Sequence, residues 1–172
     1  MKHQTITTVL LTILAIMGLF VWGYANRGVA DTSVQNVAGE GASIGSLSAQ
    51  ETFFDFGTIS MKNGNVSKEF TVTNQSAEDI LVSSLVTSCM CTTSFIVAPD
   101  GSVKGPFGMP GHGRSVPPAN EMIPAGESRS IRVVFDPNAH GPAGVGSIER
   151  TVTLTEDNGA TLELEFKAVV TP

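Results

Sequence analysis

From about residue 53 to residue 170, apolar and polar side chains alternate along short segments separated by turn residues. Successive side chains of a β-strand point to opposite faces of the sheet, so this period of two is typical of strands with one buried face. An Asp157-Asn158-Gly159 sequence predicts a hairpin turn before the last segment. Short strands with turns about every ten residues indicate an all-β, immunoglobulin-like antiparallel β-sandwich. The clearest segments are 66–72, 80–87, 131–135, 148–154 and 162–170.

The same alternation predicts which side chains form the core of the sandwich. Apolar residues that recur every second position share one face, and that face packs against the opposite sheet. No segment after residue 31 shows a sustained helical period, so we expect no long helix there. The residues expected inside are Phe70, Val72, Ile131, Val133, Phe135, Leu164 and Phe166.

Residues 6–24 form an uncharged apolar run of nineteen residues near the start of the chain. A helix needs about 20 apolar residues to cross a bilayer, whereas the apolar part of a secretory signal has about 7 to 15. We therefore expect residues 1–30 to be a membrane anchor built on one transmembrane helix. A signal segment cleaved at the small residues 28–30 is the alternative.

The residues that flank this run predict its orientation. Lys2 precedes it, and Trp22 and Tyr24 close it. Positive charge stays on the cytoplasmic side, and aromatic rings favour the membrane interface. We therefore expect a single-pass protein of the cell membrane whose C-terminal domain is extracytoplasmic, either periplasmic or extracellular.

Composition divides the exported part into a tether and a domain. Residues 31–50 are mostly Gly, Ser, Ala, Val and Asn, with no aromatic side chain, which predicts a flexible tether that cannot pack. Residues 51–172 are long enough for one apolar core. From residue 31 onward the chain has 8 basic and 16 acidic side chains, a net charge of −8. Since nucleic acid binding needs a basic surface, we expect no nucleic acid partner.

Cys89 and Cys91 are the only cysteines in the chain, and they lie where a strand is expected to end. On an extended strand their Cα atoms would be roughly 6.5 to 7 Å apart, a poor fit for a disulfide unless a local turn intervenes. Two thiolates on one face can instead hold a metal, because metal–sulfur bonds of about 2.3 Å require no sulfur–sulfur contact. This geometry favours a soft-metal clamp or two free thiols over an internal bridge.

A stretch rich in Gly and Pro interrupts the strand pattern after the cysteines. Residues 99–118 include ten Gly or Pro, and we expect an irregular loop over residues 99–122. Long irregular loops inside a domain are usually functional or disordered. This one carries Phe107, Met109 and His112, which are unusual in an inert linker.

Four short motifs, in order along the chain, resemble a known family. They are Phe54-Asp55-Phe56-Gly57-Thr58-Ile59, Phe70-Thr71-Val72-Thr73-Asn74, Ser88-Cys89-Met90-Cys91-Thr92 and Pro124-Ala125-Gly126-Glu127. Together they resemble the bacterial domain-of-unknown-function family 1573 over roughly residues 51–170. This resemblance implies an immunoglobulin-type sandwich, related to the ASPM, SPD-2 and Hydin group, in the cell envelope. It implies no activity.

Three functions compete for the domain. The first is a binding module of the cell envelope with a protein partner, in which the cysteines are small strand residues. The second is a soft-metal site, most consistent with Cu(I), since thiolate and thioether ligands select that ion. The third is a thiol redox site. In the metal site Cys89 and Cys91 are the ligands, and the further candidate donors are Met90, Met109, Met122 and His112.

The sequence does not predict an enzyme. No Ser-His-Asp or Cys-His set is suggested by spacing, and the carboxylates lie along alternating strands as solvated faces. His140 lies in Asn-Ala-His-Gly-Pro, which is typical of a plain turn. We therefore name no catalytic residue and no organic cofactor.

Overall fold

A computed structural model describes residue 17, residues 46–111 and residues 115–172. The chain divides into two units, residues 1–36 and 37–172, and Met17, which is helical, is the one described residue of the first. The predicted anchor, residues 1–30, otherwise lies outside the described residues, as does the predicted tether up to residue 45. Where the structure describes the chain, it contains no helix with the length and apolar character needed to cross a bilayer.

Ten β-strands form two five-stranded sheets within residues 46–172 as described. The first sheet has the order β1-β3-β8-β5-β6, and the second has the order β2-β10-β9-β4-β7. Two 3₁₀ turns occur at Met61–Asn63 and Gly141–Gly144. The strands are β1 Leu47–Ala49, β2 Phe53–Ser60, β3 Val66–Asn74, β4 Ile80–Thr87, β5 Thr92–Val97, β6 Val103–Phe107, β7 Glu121–Ile123, β8 Ser128–Phe135, β9 Gly146–Glu156 and β10 Thr161–Thr171.

The predicted two-sheet, all-β sandwich of immunoglobulin type is confirmed. All seven predicted core side chains are at most 3% exposed. The Asp157-Asn158-Gly159 turn joins β9 to β10 as a hairpin, in which the Gly159 N–H donates to the Glu156 carbonyl at 3.0 Å. One pairing departs from the antiparallel prediction, because β2 runs parallel to β10.

The boundary between tether and domain requires a correction. Residues 31–50 were expected not to pack, but Leu47–Ala49 pairs with β3, and the Leu47 side chain is only 1% exposed. The buried Glu156 carboxylate fixes this strand by accepting hydrogen bonds from the N–H groups of Ser46 and Leu47, at 2.9 and 3.0 Å. A short strand with one buried apolar side chain, whose backbone N–H groups bind a distant carboxylate, leaves no periodic signal in the local sequence.

The irregular loop predicted over residues 99–122 also requires a correction, because it contains β6 and the start of β7. Strand β6 is an edge strand, where Gly and Pro are tolerated because one side of the backbone has no partner to bond. At Gly105 a Cβ atom would lie 2.9 Å from the Phe95 ring and 3.0 Å from the Ser94 carbonyl oxygen. Glycine is therefore required for β6 to approach β5 this closely.

Candidate functional site

The cysteines lie in the connection that carries the chain from one sheet to the other. Strand β4 of the second sheet ends at Thr87, and β5 of the first sheet begins at Thr92. The Thr92 N–H donates to the Cys89 carbonyl at 3.1 Å and closes a tight turn. The buried Thr87 hydroxyl lies within hydrogen-bond distance of the same carbonyl, at 3.0 Å, and of the Thr92 carbonyl, at 3.2 Å. We call residues 88–91 the cysteine turn.

Within this turn Cys89 and Cys91 form a disulfide, with an S–S distance of 2.06 Å. The prediction of a metal clamp or two free thiols was wrong, because it assumed that the backbone of residues 89–91 is extended. The turn shortens the Cα–Cα distance to 5.2 Å, which is inside the range that a disulfide needs.

Each sulfur atom of the disulfide contacts a different basic side chain. The Nε2 atom of His140 lies 3.3 Å from the Cys89 sulfur. The Nε–H group of Arg150 donates to the Cys91 sulfur, also at 3.3 Å. Both cysteines are buried, at 8% and 3% exposure, whereas His140 is exposed. A basic group beside a sulfur atom stabilises the thiolate that forms when the bond opens.

Strand register explains why these two basic side chains meet the cysteines. In the first sheet Thr92 pairs with Phe135, so the loop after β8 lies beside the cysteine turn, and the Asp136 N–H donates to the Cys91 carbonyl at 2.9 Å. In the second sheet Thr87 pairs with Val152, so the residues just before Val152 face the turn.

Contacts of the backbone hold the β9 segment that carries Arg150, and the loop that carries His140, in place near the cysteine turn. On the β9 side, the Ser88 N–H donates to the Thr151 carbonyl and the Thr151 N–H donates to the Ser88 hydroxyl, both at 2.9 Å. In the His140 loop, the Gly141 N–H donates to the Asn138 carbonyl at 2.9 Å. A Cβ atom on Gly144 would lie 3.3 Å from the His140 Cβ, so the loop folds closely around this residue.

The interpretation of His140 as a plain turn residue is therefore incomplete. It precedes the Gly141–Gly144 turn, as expected, but its ring reaches the disulfide. Arg150 was not singled out from the sequence at all. Both positions lie more than 45 residues from the cysteines, and the signal that could have identified them is the pairing of β5 with β8 and of β4 with β9.

A cleft of about 430 Å³ lies next to the cysteine turn. Met90, at the tip of the turn, is 59% exposed and forms one wall. The Gly/Pro-rich segment forms another wall, because the Thr87 N–H donates to the Gly108 carbonyl at 3.2 Å and brings Met109 alongside. The lining residues are Met90, Thr92, Thr93, Pro106, Phe107, Gly108, Met109, Gly111, Ser115, Val116 and Pro117.

Of the other candidate metal donors, Met90 and Met109 lie at or near the cysteine turn and Met122 does not. Met90 and Met109 share the cleft beside the disulfide, and their part in a metal site stays a prediction. Met122 pairs with Leu81 at the start of β4, roughly 20 Å along the strand from its cysteine end, so the structure does not bring it to the sulfur atoms. His112 lies outside the described residues.

Two carboxyl groups of the second sheet have shifted pKa values. For Glu121, burial raises the pKa, but hydrogen bonds from Arg129 and Lys104 together outweigh it, so the pKa is lowered overall. For Glu165, a hydrogen bond shared with Glu149 raises the pKa, and burial adds to the effect. Glu121 closes an ion-pair network at β7, and Glu165 lies on β10 opposite Thr151 of β9.

Comparison with known proteins identifies related sequence over part of the domain. A family model described as "Protein of unknown function (DUF1573)" matches residues 47–99, which include the cysteine turn. This segment is similar to the family named from the four motifs. No curated protein has a significantly similar sequence.

Several solved structures resemble the chain in fold. A protein of unknown function from Porphyromonas gingivalis W83 aligns with a TM-score of 0.51 and 16% identity, covering 81% of this chain and 51% of that one. The secreted serine protease VesC from Vibrio cholerae aligns at 0.45 and 12%, covering 74% and 24%. The ASH/PapD-like domain of human CEP192 aligns at 0.44 and 10%, covering 84% and 97%.

This chain spans about half the length of the Porphyromonas gingivalis protein, and at 16% identity the likeness shows the fold alone. What the chain has in common with known proteins is therefore a two-sheet immunoglobulin-like sandwich and, over residues 47–99, similarity to a family of unknown function.

Proposed function

We propose that this chain is a membrane-anchored, extracytoplasmic module of the bacterial cell envelope whose Cys89–Cys91 disulfide is a reversible thiol redox site. The observation that carries the proposal is the contact of each sulfur atom with its own basic side chain, His140 or Arg150. The apolar run at residues 6–24 supports the anchor, and an exported location is where disulfides persist.

A purely structural disulfide explains the site less well. The two cysteines are separated by two positions, and a bond that closes so small a loop removes little entropy from the unfolded chain. The turn is already closed by hydrogen bonds to the Cys89 and Cys91 carbonyls. A structural role also gives no reason for two basic side chains at the sulfur atoms.

The geometry assigns different parts to the two cysteines. Cys89 is the more exposed, so the thiolate of an incoming dithiol attacks its sulfur and forms a mixed disulfide. The S–S bond breaks, and the Cys91 sulfur leaves as a thiolate beside the Arg150 guanidinium. The second thiolate of the dithiol then attacks the dithiol sulfur that is bonded to Cys89. This closes a cyclic disulfide in the reductant and releases Cys89 as a thiolate next to His140. Two electrons move from the dithiol to the cysteine pair.

An equilibrium titration tests this proposal. The full chain is incubated with mixtures of reduced and oxidised dithiothreitol, and its thiols are trapped with a maleimide and counted by mass spectrometry. Since the chain has two cysteines, a single two-electron transition in the folded protein is expected. A disulfide that dithiothreitol reduces only after the domain is unfolded would contradict the proposal.

Arg150→Met sharpens the test, because it removes the charge that stabilises the Cys91 thiolate. The loss of one charge-assisted contact, about 1.4 kcal/mol, should shift the equilibrium roughly tenfold toward the disulfide. Arg132→Met is the matched control, because the Arg132 guanidinium lies over the Phe95 ring and its removal should leave the titration unchanged. Equal shifts in both variants would rule out a specific role for Arg150.

A second candidate function, protein binding, is favoured by the cleft. Its walls carry the exposed Met90, at the tip of the cysteine turn, and the half-buried Met109, so an apolar segment of an envelope protein fits there. Met90→Ser removes the apolar wall without adding charge, so it should slow reduction by a protein dithiol such as reduced thioredoxin, while reduction by dithiothreitol should be unchanged. Equal slowing with both reductants would point to a damaged turn and count against docking in the cleft.

A further inference from the structure

The disulfide and His140 place three metal-ligating atoms together. The Cys89 sulfur, the Cys91 sulfur and a ring nitrogen of His140 all lie within 4.8 Å of one another. We infer that the reduced form of this site binds one Cu(I) ion through Cys89, Cys91 and His140. This inference rests on the proposed function to the extent that the disulfide must open for the ion to enter.

The distances suit an ion held in the centre of the three donors. With bonds of about 2.0 to 2.3 Å, donor atoms around one ion are roughly 3.5 to 4 Å apart. The contact between Cys89 and His140, at 3.3 Å, is already close to that value. The Cys91 sulfur lies within 4.8 Å of the His140 ring nitrogen, and once the bond between the two sulfur atoms is reduced it can move away from the Cys89 sulfur to complete the three donors.

The chemistry of the donors selects the class of metal. Two thiolates are soft ligands that favour Cu(I), and imidazole is compatible with them. A structural Zn(II) site almost always has four protein ligands, and within the described parts of the chain this His/Cys cluster offers three, so Zn(II) would need a water molecule as its fourth ligand.

Charge favours the same ion. Two thiolates and one Cu(I) carry a net charge of −1, which the Arg150 guanidinium next to Cys91 compensates. With Zn(II) the same ligands are already neutral, and Arg150 would add an unbalanced positive charge near a divalent cation.

The exposure of the three donors and the position of the His140 loop are consistent with a site that can exchange its ion with solvent. His140 is exposed, so the ion can arrive from solvent, while both cysteines are buried and hold it on the inner side. The Asp136 N–H bond to the Cys91 carbonyl, at 2.9 Å, ties the His140 loop to the cysteine turn. The third ligand is therefore supplied by a loop that is already fixed against the other two.

Loading is balanced in two steps. First, a phosphine reduces the disulfide to two thiols and becomes a phosphine oxide, with the oxygen atom and the two protons supplied by water. A dithiol instead supplies its own two protons and becomes a cyclic disulfide. Second, one Cu(I) binds both sulfur atoms and the His140 nitrogen, and the two thiol protons are released to solvent. No change in the oxidation state of copper is required.

The test uses the full chain, reduced with a phosphine, desalted without oxygen and titrated with Cu(I) in competition with bicinchoninate. One ion per chain is expected, and C89S/C91S should take up none. His140→Ala should weaken binding at least tenfold. Met122→Leu should change nothing, because it removes a thioether on β7 that lies beside the start of β4, far from the cysteine turn. X-ray absorption of the loaded protein should show two sulfur neighbours and one nitrogen neighbour.

The outcomes that overturn the inference differ from those that overturn the redox proposal. Equal Cu(I) uptake by the wild type and C89S/C91S excludes the site, and unchanged affinity in His140→Ala excludes the third ligand. Displacement of bound Cu(I) by equimolar Zn(II) excludes the assigned metal. Because a phosphine can reduce the bond chemically, copper binding can succeed even if the dithiothreitol titration fails, and the reverse also holds.

Discussion

Reduction of the Cys89–Cys91 bond should leave the domain folded and only slightly less stable. The bond spans a separation of two positions, which closes a loop of three residues. For such a loop the chain-entropy relation gives about 1.6 kcal/mol at 25 °C, compared with about 3 kcal/mol for a loop of fifteen residues. Hydrogen bonds to the carbonyls of Cys89 and Cys91 hold the turn without the bond.

The measurement is urea unfolding of the full chain with and without a reductant, followed by the far-ultraviolet circular dichroism of the β-sheets. A loss of about 1.6 kcal/mol moves the urea midpoint by roughly 1 M for a domain of this size. C89S/C91S should resemble the reduced wild type, and adding reductant to it should have no effect.

A loss above about 3 kcal/mol, or loss of the folded state on reduction, would refute this reasoning. Such a result would mean that the bond supports packing well beyond the turn, as native disulfides of small secreted domains commonly do. The disulfide would then be a structural element, and the case for a reversible redox site would lose its main energetic support.

Three further predictions concern the rest of the domain. The Ser94 hydroxyl is buried and makes no hydrogen bond, so Ser94→Ala should raise the free energy of unfolding by about 1 kcal/mol in urea titrations. A hydrogen bond shared with Glu149, followed by burial, raises the folded-state pKa of Glu165, so the fold loses stability as pH rises past the usual value of 4.5. Glu165→Gln should therefore stabilise the domain at pH 7 and have no effect below about pH 4. Equal effects at both pH values would exclude this cause. Glu156→Ala should release β1, so the Leu47 amide should exchange hydrogen with solvent at least tenfold faster while the β9–β10 amides keep their protection; unchanged exchange at Leu47 would show that Glu156 does not anchor the strand.

The sequence predicted the strands well because alternation is a local property. Segments such as 162–170 carry their own signal in every second residue, and the buried positions follow from it without knowledge of any partner strand. The same reasoning failed at β6, where Gly105 and Pro106 indicate a loop unless the position at a sheet edge is known.

The candidate site was predictable only in part. The cysteine pair was evident from the sequence, but its disulfide depends on a turn that begins one residue after β4 ends, and strand ends are poorly defined by alternation. His140 and Arg150 reach the sulfur atoms through pairings between strands far apart in the chain. No spacing rule connects residues at such separations, so these contacts required the three-dimensional structure.

The cysteine turn joins the two sheets, and its basic neighbours come from opposite sides of that junction. His140 follows β8 of the first sheet, whereas Arg150 belongs to β9 of the second. The electrostatic surroundings of the sulfur atoms therefore depend on how the two layers are aligned. A partner that shifts one sheet against the other would therefore change the reduction potential of the proposed Cys89–Cys91 redox pair. By thermodynamic linkage, reduction of the pair would change the alignment of the sheets by the same coupling free energy.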